Sequence, residues 1–127
     1  MDPLDPRLRQ MATIDALGGA LASDRAVLDS PANTQVFTYH VPTGTLLAFA
    51  VEPGTVEPFS LDSAAPAMER ELRALRSEEV EKWDGVIVRL DKSSGTLRMQ
   101  FLFDADADTV DPAATSMVEI ADRIRKE

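Results

Sequence analysis

The spacing of apolar residues changes period several times along the chain, and each change marks an element. Leu8, Met11, Ile14, Leu17 and Leu21 recur at three- and four-residue intervals and predict a helix over about residues 6 to 22. Asp5-Pro6 supplies the start signal: an aspartate to cap exposed amides, then a proline that loses no helical hydrogen bond. Gly18-Gly19 interrupts the stripe at a cost of about 1 kcal/mol per glycine. Ala26-Val27-Leu28 is apolar but too short to assign.

The period then drops to two. Gln35 to Val41 alternates and is rich in β-branched and aromatic residues, with Phe37, Tyr39 and Val41 on one face and Val36, Thr38 and His40 on the other. Pro42-Thr43-Gly44 is a turn, and Thr45 to Val51 completes a hairpin. The run Leu46 to Val51 is apolar on both faces, which predicts a central strand covered twice. Val56 to Leu61 contains Pro58 and reads as an edge strand or a loop.

Asp62-Ser63 opens a second helix with Met68, Leu72 and Leu75 on one side, and Glu78 to Lys82 either extends it or frays from it. After Trp83-Asp84-Gly85 comes the clearest strand signal. Val86, Val88 and Leu90 alternate with Ile87, Arg89 and Asp91, then Leu97, Met99, Phe101 and Phe103 alternate with Arg98, Gln100 and Leu102 about a Gly-containing loop. That is an antiparallel hairpin with one buried face. Asp111-Pro112 repeats the first helix's start signal, Met117, Ile120 and Ile124 form the stripe, and Arg123, Arg125 and Lys126 oppose the dipole in the last turn.

The order is α-β-β-(β)-α-β-β-α. It predicts an α+β fold, an antiparallel sheet of four to five strands with three helices packed on it, in a single domain over residues 1–127. A chain of this length buries about two-thirds of its unfolded surface and needs no staples. With no cysteine, disulfides, thiolate zinc, iron–sulfur ligation and a thiol nucleophile are excluded. Twenty-two acidic against 13 basic residues give −9, which argues against a nucleic-acid backbone or an anionic membrane as partner. The opening residues lack a signal-peptide pattern and no run approaches a membrane span, so a cytoplasmic location is expected. The two-sided apolar run at 46–51 is equally compatible with a homodimer interface.

Candidate chemistry concentrates in Asp104-Ala105-Asp106-Ala107-Asp108, with Asp111 just beyond. Alternating carboxylates can wrap a hard cation, but the EF-hand loop template fails where it needs glycine (Thr109) and glutamate (Thr115). The simpler reading is a solvated acidic loop whose last aspartate caps the final helix. His40, the sole histidine, has no identifiable orienting partner and reads as structural or surface. Trp83 either packs over the sheet edge or anchors a partner. The charge-rich stretch from Glu69 to Lys82 is a solvated helix face, with Glu69 and Arg73 at i,i+4. Phosphate-loop, dinucleotide and nucleophile-elbow patterns are absent. No residue is assigned to catalysis, and no metal or cofactor is expected.

The segment Trp83-Asp84-Gly85-Val86-Ile87-Val88-Arg89-Leu90-Asp91 through Gly95, followed by Phe101-Leu102-Phe103-Asp104, resembles the C-terminal half of the YezG-like bacterial immunity (antitoxin) proteins. The likeness covers roughly residues 83–124 and includes the acidic loop before a final helix. It implies a small non-enzymatic protein that binds and blocks a toxin. Trp83, Asp104, Asp106 and Asp108 are the candidate partner-binding residues, and an acidic surface suits a basic partner. The alternatives are a small-ligand-binding or regulatory domain with a pocket between the apolar second strand and a helix, and a carboxylate enzyme using a divalent cation at Asp104, Asp106 and Asp108.

Overall fold

The computed structural model describes residues 6–79 and 81–126. Asp5 of the expected first cap, and Val80 within the expected extension of the second helix, lie outside these residues. The chain runs α1 (Pro6–Ala22), α2 (Arg25–Asp29), β1 (Thr34–His40), β2 (Thr45–Glu52), β3 (Thr55–Phe59) and α3 (Ala65–Glu78). It continues through β4 (Gly85–Asp91), β5 (Thr96–Leu102), a 3-10 segment (Asp104–Val110) and α4 (Met117–Lys126). The sheet order is β3-β2-β1-β4-β5, with every neighbouring pair antiparallel. This is the expected α+β arrangement, with five strands; the short stretch at 26–28 forms part of α2, and the Pro58 strand sits at an edge as its missing N–H requires.

Strand alternation sends side chains into two cores, one on each face of the sheet. On the first face Phe37, Tyr39, Val86, Val88 and Leu90 pack with Leu17 and Leu21 of α1 and Met68, Leu72 and Leu75 of α3. On the second face Val36, Phe49, Ile87 and Leu102 pack with Ala107 and Val110 of the 3-10 segment and Ile120 and Ile124 of α4. The strand covered most fully from both sides is β1, where six of seven residues are buried, rather than β2. Pairing order explains the difference. β1 lies at the centre of the sheet, whereas β2 has only the short edge strand β3 beyond it.

The first helix departs from its expected stripe. Leu17 and Leu21 are buried, but Leu8 and Met11 are 52% and 59% exposed, because only the second half of α1 reaches the core. α4 also starts later than its Asp111-Pro112 signal. Asp111 Oδ1 accepts from the Ala113 N–H at 2.9 Å and forms a turn, while Ser116 Oγ accepts from the Glu119 N–H at 3.2 Å at the true helix start. α3 ends at Glu78, where Lys82 Nζ donates to the carbonyls of Arg76, Ser77 and Glu79.

The α1–α3 layer is tied together by Asp24, which is fully buried. Its Oδ1 accepts from the Val27 N–H at 3.1 Å and caps α2. Its Oδ2 accepts from the N–H groups of Asp62, Ser63 and Ala64 at 2.9, 2.8 and 2.9 Å, at the entrance to α3. α3 therefore receives its capping carboxylate from a distant segment rather than from the Asp62-Ser63 pair that signals its start in the sequence. One charge satisfies donors of two helices.

Burial alone would push the Asp24 carboxyl up, but the backbone N–H groups of Ser63, Ala64, Asp62 and Val27 outweigh it and hold the group below its ordinary 3.8. The folded state therefore releases this proton more readily than the unfolded chain. The resulting stability is complete above pH 3.8 and is lost as pH falls from there through the folded value. In chemical denaturation across pH 6 to 2, Asp24→Asn is expected to lose about 3 kcal/mol or more at pH 6 through unmet donors. Its stability should then fall less steeply than wild type below pH 3.8. Equal acid slopes for the two proteins would refute this assignment.

Candidate functional site

β5 delivers the chain directly into the 3-10 segment, and Asp104 makes the corner with φ +50°. Aspartate tolerates this left-handed conformation better than most residues because its short polar side chain bonds locally. The segment lies flat on the second sheet face, with Ala107 and Val110 each 1% exposed. Gly85 of β4 makes that approach possible: a Cβ there would stand 3.2 Å from Val110 Cγ2 and 3.3 Å from Ala107 Cβ.

Hydroxyls lock the outer surface. Thr109 Oγ1 donates to the Asp106 carbonyl and Thr115 Oγ1 to the Asp108 carbonyl, each at 2.6 Å. Asp104, Asp106 and Asp108 consequently stand exposed on a fixed ridge instead of a solvated loop, and Phe103 beside them is 41% exposed.

With about three residues per turn, side chains two apart on a 3-10 helix point in widely different directions. Asp104, Asp106 and Asp108 therefore fan outward and do not converge on one ion. Positions three apart do converge, and Asp108 and Asp111 meet His40 there. Ligand-type atoms of these three residues lie within 4.8 Å of one another.

His40 ends β1 and is 4% exposed; its Nδ1 is 2.8 Å from Thr43 Oγ1 and 3.9 Å from Asp111 Oδ1. The histidine thus has the carboxylate neighbour that the linear sequence does not reveal. Both groups already have other partners: His40 Nδ1 has the Thr43 hydroxyl and Asp111 Oδ1 has the Ala113 N–H. The arrangement joins the end of β1 to the turn before α4, and a protonated His40 would pair with Asp111.

Trp83 is corrected as a partner-binding residue. Its side chain is 1% exposed, within the first core, with its ring centroid 5.2 Å from that of Phe101 at an interplanar angle of 34°. Arg76 Nε holds its backbone by donating to the Trp83 carbonyl at 2.5 Å. The enclosed indole leaves no face for a partner. The exposed aromatic of this region is Phe103, one residue before the ridge, at the position where the alternating pattern implied burial. β5 ends at Leu102, so the chain turns before Phe103 can point inward with Leu97, Met99 and Phe101.

Beside the apolar second strand, a cleft of about 230 Å³ opens along β2 and β3, lined by Leu46, Ala48, Phe59 and Met117. It is smaller than the roughly 300–1,000 Å³ typical of ligand pockets. Among the described residues no helix is long and apolar enough to cross a membrane. No family model matches the chain, and no curated protein or solved structure is significantly similar to it.

The outward fan of the ridge predicts indifference to hard cations. A site filled at a hundred times its Kd would add about 2.7 kcal/mol of stability. Thermal melting with and without millimolar calcium or magnesium should superimpose, for wild type and for Asp104→Asn/Asp106→Asn alike. A cation-dependent rise that Asp104→Asn/Asp106→Asn removes would contradict this reading of the ridge.

Proposed function

We propose that this chain is a non-enzymatic binding protein whose acidic ridge captures a basic protein partner. The observation that carries the reading is the fixed presentation of Asp104, Asp106 and Asp108: three exposed carboxylates on a turn anchored in the core by Ala107 and Val110. A rigid charged ridge loses little conformational freedom on binding, which favours recognition over a floppy acidic tail. Phe103 stands next to it as an exposed aromatic of the kind that anchors interfaces. The net charge of −9 extends the negative field and accelerates encounter with a positive partner.

The resemblance of residues 83–124 to YezG-like immunity proteins narrows the proposal to a bacterial, cytoplasmic protein that neutralises a toxin by occupying its basic surface. Function in this reading is stoichiometric blockade, with no turnover and no cofactor.

The test is affinity capture from the native organism with the tagged wild-type chain, followed by binding kinetics on the protein identified. A basic partner at one-to-one stoichiometry is expected. Asp104→Asn/Asp106→Asn/Asp108→Asn should slow its association by about tenfold or more at low salt and flatten the salt dependence, with a smaller effect on dissociation. Asparagine also tolerates the left-handed backbone at residue 104, so the ridge should keep its shape. A partner that binds the triple variant as fast as wild type, or no stoichiometric partner at all, would overturn the proposal.

A further inference from the structure

Packing on the second sheet face brings a buried imidazole and two carboxylates to one point at the end of β1. His40 lies opposite Gly85 in the β1–β4 register. Gly85 has no side chain, so Ala107 and Val110 settle directly onto it. That contact lays the 3-10 segment across the end of β1 and carries Asp108 and Asp111, three positions apart, to the imidazole. The backbone is fixed there. The Asp108 carbonyl accepts from the Asp111 N–H at 3.1 Å and from Thr115 Oγ1 at 2.6 Å.

The donor atoms converge. One donor from each of the three side chains lies within 4.8 Å of the other two, and His40 Nδ1 stands 3.9 Å from Asp111 Oδ1. A zinc ion about 2.0–2.2 Å from each ligand holds tetrahedral donors roughly 3.3–3.6 Å apart. A small contraction of the histidine–aspartate pair therefore reaches coordination geometry.

The bonds already in place are compatible with an ion. Thr43 Oγ1 is 2.8 Å from Nδ1 but also 2.9 Å from Thr45 Oγ1, so the hydroxyl keeps a partner when a metal takes the nitrogen. Asp111 Oδ1 accepts from the Ala113 N–H, and a carboxylate oxygen has a further lone pair for a cation. His40 is 4% exposed while Asp108 faces solvent, so the site has a closed inner wall and an open outer side.

We propose that His40, Asp108 and Asp111 form a binding site for a divalent transition ion of the zinc type. Two carboxylates balance the dipositive charge, and water takes the remaining position on the exposed side. The imidazole selects such an ion over calcium or magnesium, which take oxygen ligands. The bound ion ties the end of β1 to the turn before α4. This site goes beyond the partner-binding reading. It shares Asp108 with the acidic ridge, but His40 and Asp111 lie outside the ridge, so those two residues report on the ion alone.

The untagged chain contains a single histidine, so its imidazole signals in NMR belong to His40. Isothermal titration of the full chain with zinc chloride, after chelator treatment and dialysis, is paired with proton–nitrogen NMR of that ring. Binding of a single zinc per chain is expected, with the ring nitrogen resonances moving in step with occupancy. Calcium or magnesium at the same concentration should leave them in place. Asp111→Asn, which keeps an oxygen for the Ala113 N–H, should weaken zinc binding by about tenfold or more, since even the loss of an outer orienting partner costs that much. Absence of zinc binding at millimolar concentration would overturn the proposal. So would binding that leaves the imidazole resonances unmoved, undiminished binding by Asp111→Asn, or equal affinity for calcium.

Discussion

A single buried carboxylate sets the geometry of one whole layer. Asp24 sits at the α1–α2 junction and reaches the entrance of α3, where it takes three consecutive backbone N–H groups while also capping α2. Amides at a helix entrance must find acceptors, and burial makes their neglect expensive. Since β3 leads directly into this entrance, the carboxylate couples the edge of the sheet to the helices over its first face. The apolar contacts of Leu17 and Leu21 with the α3 side of the core then follow from a fixed crossing instead of selecting it among several.

The opposite face is covered piecemeal. Ile120 and Ile124 bring α4 down over β2 and β3, and Ala107 and Val110 bring the 3-10 segment down at Gly85. At the distal end of the β4–β5 hairpin only the last turn of α4, through Ile124 and Arg125, borders the face, and a hollow remains. This uneven coverage separates the charges. Carboxylates rise on the ridge at one end, and Arg89 and Arg98 oppose each other at the other.

The fold was legible wherever neighbours in sequence are neighbours in space. Alternation over 86–103 reports strand faces directly, and Pro58 marks an edge because a missing N–H is a local property. What could not be read depends on long-range placement. Leu8 and Met11 continue the helical spacing of Leu17 and Leu21, but the sheet lies under only half of the helix. The start of α4 was misplaced because an Asp-Pro pair serves a turn as readily as a helix cap, and only the bonds of Asp111 and Ser116 distinguish the two. The site was less legible than the fold. The acidic cluster was visible, yet its outward fan depends on a 3-10 geometry that composition does not encode. His40 gains Asp111, and Asp24 gains the α3 entrance, across separations that leave no local signature.

The central claim, that Asp24 holds the α1–α3 layer in place, is tested most directly by amide hydrogen exchange of wild type and Asp24→Asn observed residue by residue by NMR. The account predicts slow exchange at Val27, Asp62, Ser63 and Ala64 in wild type. In the variant those amides should exchange rapidly, with Leu72 and Leu75 of α3 losing protection alongside them and the central strand β1 losing less. Protection at residues 62–64 that survives the substitution would contradict the account, because some other group would then be satisfying those donors.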